Sequence, residues 1–309
     1  MVGAINPPTE GNTYESFLAN ALALGSASGS ANGSGTNSSI PPTNATFSQP
    51  SITDSAYPAP TSSTSDSGGW NGTSTGSGNV TTVYGFGSKC NLTDIGLTFP
   101  EGSNLTIPEG AVVDYVALGG GTQNYTCTSG KYTSIGAVAG LVDVSCLVDA
   151  SYFLDLPAVA LILGQAYDSD GNLNLTSEVN QTLSAYSPDA VTALQVLLNS
   201  DNWMQYYLGL HSFTFFPEGA TKASPEFIFP QEDGTVSAQD YVIGNLTASY
   251  PDPVDSKANI NWLQLSAIDG QLATGVYRIV TAGGVPPASC DTEGEELDVD
   301  YAAFYVFTS

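Results

Sequence analysis

Between Ser26 and Thr82, 43 of 57 residues are Ser, Thr, Gly, Asn or Pro, and this stretch decides how much of the chain is able to fold. Such a segment buries too little apolar surface to offset the entropy of ordering it. The chain therefore divides near residue 88. Positions 1–88 carry no Lys or Arg and only four acids, Glu10, Glu15, Asp54 and Asp66. We expect 26–88 to be a disordered, glycosylated stalk, with Pro58-Ala-Pro-Thr-Ser-Ser-Thr-Ser65 reading as an O-glycosylated tract. Within 1–25, Asn12-Thr-Tyr-Glu15 ahead of Phe17, Leu18 and Leu22 has the form of a capping box opening a short helix. Residues 89–309 have the content of one globular domain.

The pattern in that domain is mainly β. Ala111-Val-Val-Asp-Tyr-Val-Ala-Leu118 runs into Gly119-Gly-Gly121 and then Thr122–Cys127, which reads as a hairpin with its turn at the glycines. Ser134–Val142 reads as a buried strand rich in small residues, and further strands are expected at 211–216, 225–229, 240–249, 260–268, 275–281 and 299–307. The period changes between about 150 and 208. There Ser187 at the N-cap, Pro188 at the first helical position and Asp189 beside the positive end announce a helix, with Leu194, Leu197 and Leu198 on one face. The expected fold is a β-sandwich or irregular β-barrel carrying a small helical insertion.

Eleven Asn-x-Ser/Thr sequons begin at Asn32, Asn37, Asn44, Asn71, Asn79, Asn91, Asn104, Asn124, Asn174, Asn180 and Asn245. Such acceptors matter only on a glycosylating secretory route, so the expectation is a secreted, extracellular glycoprotein, with cell-wall association as a variant. Thirty acids against five bases give a formal charge of −25. A chain of that charge repels nucleic acid and anionic lipid. The longest apolar stretch, Pro157–Leu163, is far short of a spanning helix, so no membrane insertion is expected. Met1–Pro8 has neither a basic start nor an apolar run, which predicts a processed form if the chain is secreted.

Four cysteines, Cys90, Cys127, Cys146 and Cys290, predict two disulfides in such a setting. Three connectivities are open, of which Cys90–Cys146 with Cys127–Cys290 is preferred. Zinc is disfavoured, because there is no Cys-x-x-Cys spacing and only one His.

Several segments occur in an order shared with one family. They are Val116-Ala-Leu-Gly-Gly-Gly-Thr-Gln-Asn-Tyr-Thr-Cys127, Ile135–Ala139, Gly209-Leu-His211, Asn261-Trp-Leu-Gln-Leu265, Tyr277–Pro287 with Cys290, and Val299–Tyr305. On these the chain, over about 90–309, resembles the secreted fungal and bacterial family called domain of unknown function 3455. Fungal members often carry the label malate dehydrogenase. The resemblance implies a secreted β-rich domain without an established activity. The dehydrogenase label does not fit these residues: Gly85-Phe-Gly87 lacks the third glycine of a dinucleotide turn, and one Arg serves the entire chain.

Other candidate sites are sparse. Gly72-Thr-Ser-Thr-Gly76 has the spelling of a nucleophile elbow but lies in the stalk. His211, the only histidine, is the one candidate general base, against a structural role beside Phe213 and Phe215. Tyr125, Tyr277 and Arg278 carry a similar choice, with Arg278 placed to pair a carboxylate such as Asp114. Asp168, Asp170, Asn172 and Asn174 put oxygens at alternate positions, a weak calcium pattern that also fits an ordinary turn; no other cofactor is expected. Trp203, Tyr206 and Tyr207 form a candidate aromatic platform for sugar rings, whereas Trp262 reads as core.

Three function classes follow. The preferred one is a non-enzymatic extracellular or surface glycoprotein, whose partners would be cell-wall polysaccharide or another extracellular protein. The alternatives are a carbohydrate-binding module and a hydrolase using carboxylate pairs, for which no spacing singles out any pair.

Overall fold

A computed structural model describes residues 92, 95, 97, 99–167, 173–198, 206–231 and 234–309. The helix expected in 1–25, the stalk, the Gly72–Gly76 and Gly85–Gly87 segments, Trp203, Asp168, Asp170 and Asn172 lie outside them, as do Cys90 and the sequons Asn32, Asn37, Asn44, Asn71, Asn79 and Asn91.

The domain is a closed antiparallel barrel of eight strands in sequential order. They are β1 (Val113–Thr128), β2 (Lys131–Asp143), β3 (Tyr207–Thr214), β4 (Ser224–Ile228), β5 (Tyr241–Tyr250), β6 (Trp262–Gly270), β7 (Gly275–Gly283) and β8 (Glu296–Thr308). Closure runs through the long β1–β8 ladder, from Val113 opposite Thr308 to Thr126 opposite Glu296. A closed barrel leaves no sheet edge to be protected. Of the two architectures expected, the barrel is therefore the one formed.

The expected hairpin at Gly119–Gly121 is not there. β1 passes straight through the glycines, which pair with Leu141, Gly140 and Ala139 of β2 on one side and Ala303, Ala302 and Tyr301 of β8 on the other. The role of Gly119 and Gly121 is steric rather than conformational. A Cβ on Gly119 would stand 2.6 Å from the Tyr305 ring, and one on Gly121 would stand 2.0 Å from the Val138 carbonyl oxygen. The turn comes later, at Ser129 and Gly130, both with positive φ.

Two cores result. Inside the barrel, Ala117, Ala137, Ala139 and Leu141 leave room for Phe227, Tyr301, Tyr305 and Phe307. Outside it, helices cover one flank. α1 (Leu156–Gln165) buries Leu156, Val159 and Leu163, and α3 (Pro188–Leu198) buries Ala190, Ala193, Leu194 and Leu197, while α2 (Ser177–Leu183) is short. Leu198, expected on that face, is exposed instead. α1 lies on β7, β8 and β1, so β8 is covered on both faces: Tyr301, Ala303, Tyr305 and Phe307 point in, and Phe304 and Val306 point out to the helices. This explains why its sequence changes from alternating to wholly apolar. Phe153 stacks on Phe304 at 4.2 Å between centroids. Among the described residues no helix is long and apolar enough to cross a membrane.

Cys127, near the end of β1, is bonded to Cys290 in the β7–β8 loop. Cys146 is disulfide-bonded as well.

Candidate functional site at the barrel mouth

In an up-and-down barrel, alternate connections gather at each end. The β1–β2, β3–β4, β5–β6 and β7–β8 connections surround one mouth, where a cavity of about 420 Å³ opens between them. Gln123 and Tyr125 of β1, Arg278 of β7, Asn259 and Asn261 of the β5–β6 loop and Phe213 of β3 line it. A second depression, of about 350 Å³, lies around the β6–β7 turn against Tyr241 and Asp269. The Tyr241 hydroxyl donates to Asp269 there, and no cation lines it.

The β5–β6 loop is held by one buried carboxylate. Asp252 Oδ1 accepts from the backbone N–H groups of Val254 and Asp255 and from Asn259 Nδ2; Oδ2 accepts from Trp262 Nε1 at 2.9 Å. The Thr281 hydroxyl lies 3.1 Å from the same oxygen and 2.6 Å from the Ile260 carbonyl. A buried carboxylate needs donors to offset its lost hydration, and here they come from the loop and from β6 and β7. The loop is thereby shaped so that Asn259 Oδ1 accepts from Gly283 N and the Asn261 carbonyl faces Arg278. Trp262 is core, as expected, and also anchors this carboxylate.

Arg278 is the chain's only arginine and is 8% exposed. Its Nε and Nη2 donate to the Asn261 carbonyl at 3.2 and 2.9 Å. The expected pair with Asp114 is not made, since Asp114 Oδ1 accepts from Ser309 Oγ instead. The reason is register. Arg278 faces Tyr305 across the β7–β8 ladder and so points into the barrel, whereas Asp114 sits at the far end of β1. Beneath Arg278, the Tyr301 and Tyr305 hydroxyls meet at 2.6 Å. Burial raises the pKa of both phenols, and the guanidinium opposes that rise. Gln123 is 6% exposed; its amide lies against Tyr301, yet Nε2 has no partner at hydrogen-bonding geometry. The Tyr125 hydroxyl is committed to the Gly284 carbonyl at 2.6 Å.

His211 is within the barrel, 3% exposed, with its ring stacked on Phe227 at 4.3 Å. Nδ1 is 3.0 Å from the Glu226 carbonyl oxygen, and because a carbonyl only accepts, Nδ1 carries the proton. Burial, with a smaller push from Arg278, lowers its pKa to about 4. A neutral imidazole clamped by a backbone carbonyl has the packing role rather than that of a general base poised near neutrality. The consequence for stability has a definite sign. The unfolded state, at pKa 6.5, takes up the proton before the folded state does. His211 therefore supports the fold fully above pH 6.5, and that support is lost as pH falls towards 4, amounting to about 3 kcal/mol. Melting curves of the protein and of His211→Gln should converge as pH falls from 7 to about 4.5. A stability difference that stays constant with pH would contradict a buried neutral imidazole.

The remaining sequence candidates do not gather at the mouth. Tyr206 is 6% exposed in the core beneath the helices and presents no ring face to a sugar; Tyr207 is half-buried in β3. The platform reading thus loses Tyr206, because the chain enters the β-sheet there and packs the ring inward. Asn174 is exposed, its N–H donating to the Ala166 carbonyl. Among the described sequons, Asn104, Asn174, Asn180 and Asn245 are exposed, while Asn124 Nδ2, the atom a glycan would occupy, is 2.6 Å from Asp298 Oδ1. Gln123, Asn259, Asn261 and Asp252 were not singled out by sequence reasoning. The only local signal was Gln123, a polar residue among small and apolar ones at a position whose parity matches Tyr125.

Comparison with curated proteins and with solved structures finds no match. A family match covers residues 108–309, so it begins at the last turn before β1 and takes in the whole barrel, though not the segment from about 90. That match includes Gln123, His211, Asn261 and Arg278, and the chain belongs to the family described as "Protein of unknown function (DUF3455)".

Proposed function

We propose that this protein is an N-glycosylated extracellular module that binds a small ligand at the barrel mouth and does not transform it. The observation that carries the reading is the mouth itself, where a cavity of about 420 Å³ has a buried arginine and a buried, unpartnered amide in its lining. Its size is within the range of small-molecule sites, and convergent polar groups within a mostly closed fold are what such sites use. Secretion is supported by the sequons, four of them on exposed asparagines, and by the disulfide at the mouth. Binding is favoured over catalysis because His211, the one imidazole, is stacked, hydrogen-bonded and held neutral. A polysaccharide partner remains an outcome of the experiment, since Asn259, Asn261 and the exposed Phe213 would also suit a sugar.

The test is a two-dimensional NMR screen of the isotope-labelled protein against a library of small polar fragments and wall oligosaccharides. Shifts are expected to cluster on Gln123–Tyr125, Asn259–Leu263 and Arg278, with every fragment recovered unchanged. Clustering around Tyr206 and Tyr207, or conversion of a fragment, would overturn the reading.

A further inference from the structure

We propose that the barrel mouth is a site for a small organic monocarboxylate, its carboxylate received by Arg278 and Gln123 and its apolar body lying against Phe213. The inference rests on the mouth-binding reading and specifies its ligand.

Two independent observations point to an anion. The first is the state of Arg278. Burying a guanidinium is costly unless its charge and donors are met, and here the acceptors it meets are neutral, the Asn261 carbonyl and the Tyr305 hydroxyl. Among the described residues no carboxylate closes on it, and the neighbouring groups are phenols with raised pKa, which stay neutral. The charge is thus left for something that enters the cavity. The second is Gln123 Nε2, an N–H donor pair occluded from water and without a partner. An unsatisfied buried donor costs about 1–3 kcal/mol, and it stands in the lining of the same cavity as the guanidinium. Both unmet groups are donors, so an acceptor is what they lack. A planar carboxylate supplies two such oxygens and matches the guanidinium fork.

The charge count limits the ligand to one negative charge. Arg278 is the only cation in the cavity lining. Lys131, Lys222 and Lys257 lie on the strands and loops of the same end, but so do Glu218, Asp255, Asp291, Glu293 and Glu295. The rim therefore has no positive excess, and the chain as a whole carries −25. A phosphate dianion or a dicarboxylate would meet this field with a single countercharge. The apolar part of the ligand follows from Phe213, which lines the cavity, and from Phe215, 66% exposed two residues further along at the rim. Exposed aromatic surface beside a polar floor suits a ligand with one charged end and one apolar end.

The experiment titrates the full domain with sodium benzoate and sodium hexanoate, and separately with benzyl alcohol and 1-hexanol. It reads the Gln123 side-chain amide and the single imidazole of His211 by NMR. Carboxylates are expected to bind at least about tenfold more tightly than the matched alcohols. Gln123→Glu should weaken the carboxylates by about tenfold or more through like-charge repulsion. The same variant puts its carboxylate into the cavity that holds the Arg278 guanidinium, which supplies the countercharge a buried carboxylate needs, so the melting temperature should stay within a few degrees. Arg278→Gln should abolish carboxylate binding; Gln123→Glu keeps the test valid if that variant fails to fold. Equal affinity for carboxylates and alcohols at the mouth would overturn the carboxylate assignment while leaving the mouth as a binding site. Shifts elsewhere on the surface would overturn both. Absence of any shift up to about 20 mM benzoate or hexanoate, a limit weaker than the millimolar range, would overturn the carboxylate assignment.

Discussion

Replacing Cys127 and Cys290 together by Ser is expected to lower the stability of the domain by about 5 kcal/mol, because the bridge closes 163 residues of chain. Loop-closure entropy grows with the logarithm of loop length, so this bridge is near the upper end of what one disulfide contributes. For a domain of this size the loss corresponds to a melting temperature lower by roughly 10–20 °C. The location makes a second effect visible. The bridge is part of a small cluster in which Cys127 N donates to Glu295 O, Gly294 N to Cys127 O, and Cys290 N to Gly130 O. It thereby fastens the β7–β8 loop to the end of β1 and to the β1–β2 turn, on the rim of the mouth. Hydrogen exchange of the double variant should accelerate first in residues 286–295 and only later in β6 and β7. A melting temperature unchanged by the double substitution would mean that the loop is held by its backbone contacts alone.

Gly121→Ala is expected to cost about 3 kcal/mol or more, whereas Gly120→Ala, one residue away, should be close to neutral. The contrast comes from the register of β1. A Cβ at Gly121 would stand 2.0 Å from the Val138 carbonyl oxygen and 2.7 Å from the Ala139 Cα. These are backbone atoms of β2, unable to swing aside without opening the β1–β2 ladder. At Gly120 a Cβ meets nothing within 4 Å. Urea denaturation of the two variants checks this directly, through midpoints compared at equal slope. Equal midpoints would show that β1 and β2 are not packed as closely as described, and with them the barrel interior.

These glycines also show where sequence reasoning stops. Three consecutive glycines between apolar runs ordinarily mark a turn. At Gly119 the cause is an aromatic ring on another strand, since the room it leaves is filled by Tyr305, 186 positions away in the chain, and at Gly121 it is the backbone of β2. No local pattern carries that information. Strand positions were legible because each strand has its own period and apolar content: β2, β4, β5, β6 and β7 fall within about three residues of the expected segments. The helical insertion was legible from the capping residues at Ser187–Asp189 and the change of period. The exposure of Leu198 was not, since a helix's buried face is chosen by what it packs on.

The candidate site divides in the same way. His211 and Arg278 stood out by being unique, and chemical rarity is visible in a sequence. Their roles were not, because each depends on neighbours supplied by other strands. His211 is neutralised by burial against Phe227 and by the Glu226 carbonyl, and Arg278 is turned away from Asp114 by the pairing of β7 with β8. Gln123, Asn259, Asn261 and Asp252 are ordinary polar residues in ordinary contexts, and only barrel closure brings them to one end.

By itself, then, the sequence determined the β character of the domain, its helical insertion and its net charge. Each of these depends on local composition or on a short-range period. The tertiary structure decided that the sheet closes into a barrel, that two cores form on either face of β8, and that an arginine without a carboxylate shares a cavity with an unpartnered amide. Those features depend on which residues face each other across strands more than a hundred positions apart. Register and closure are set by the sum of many weak pairings and steric fits.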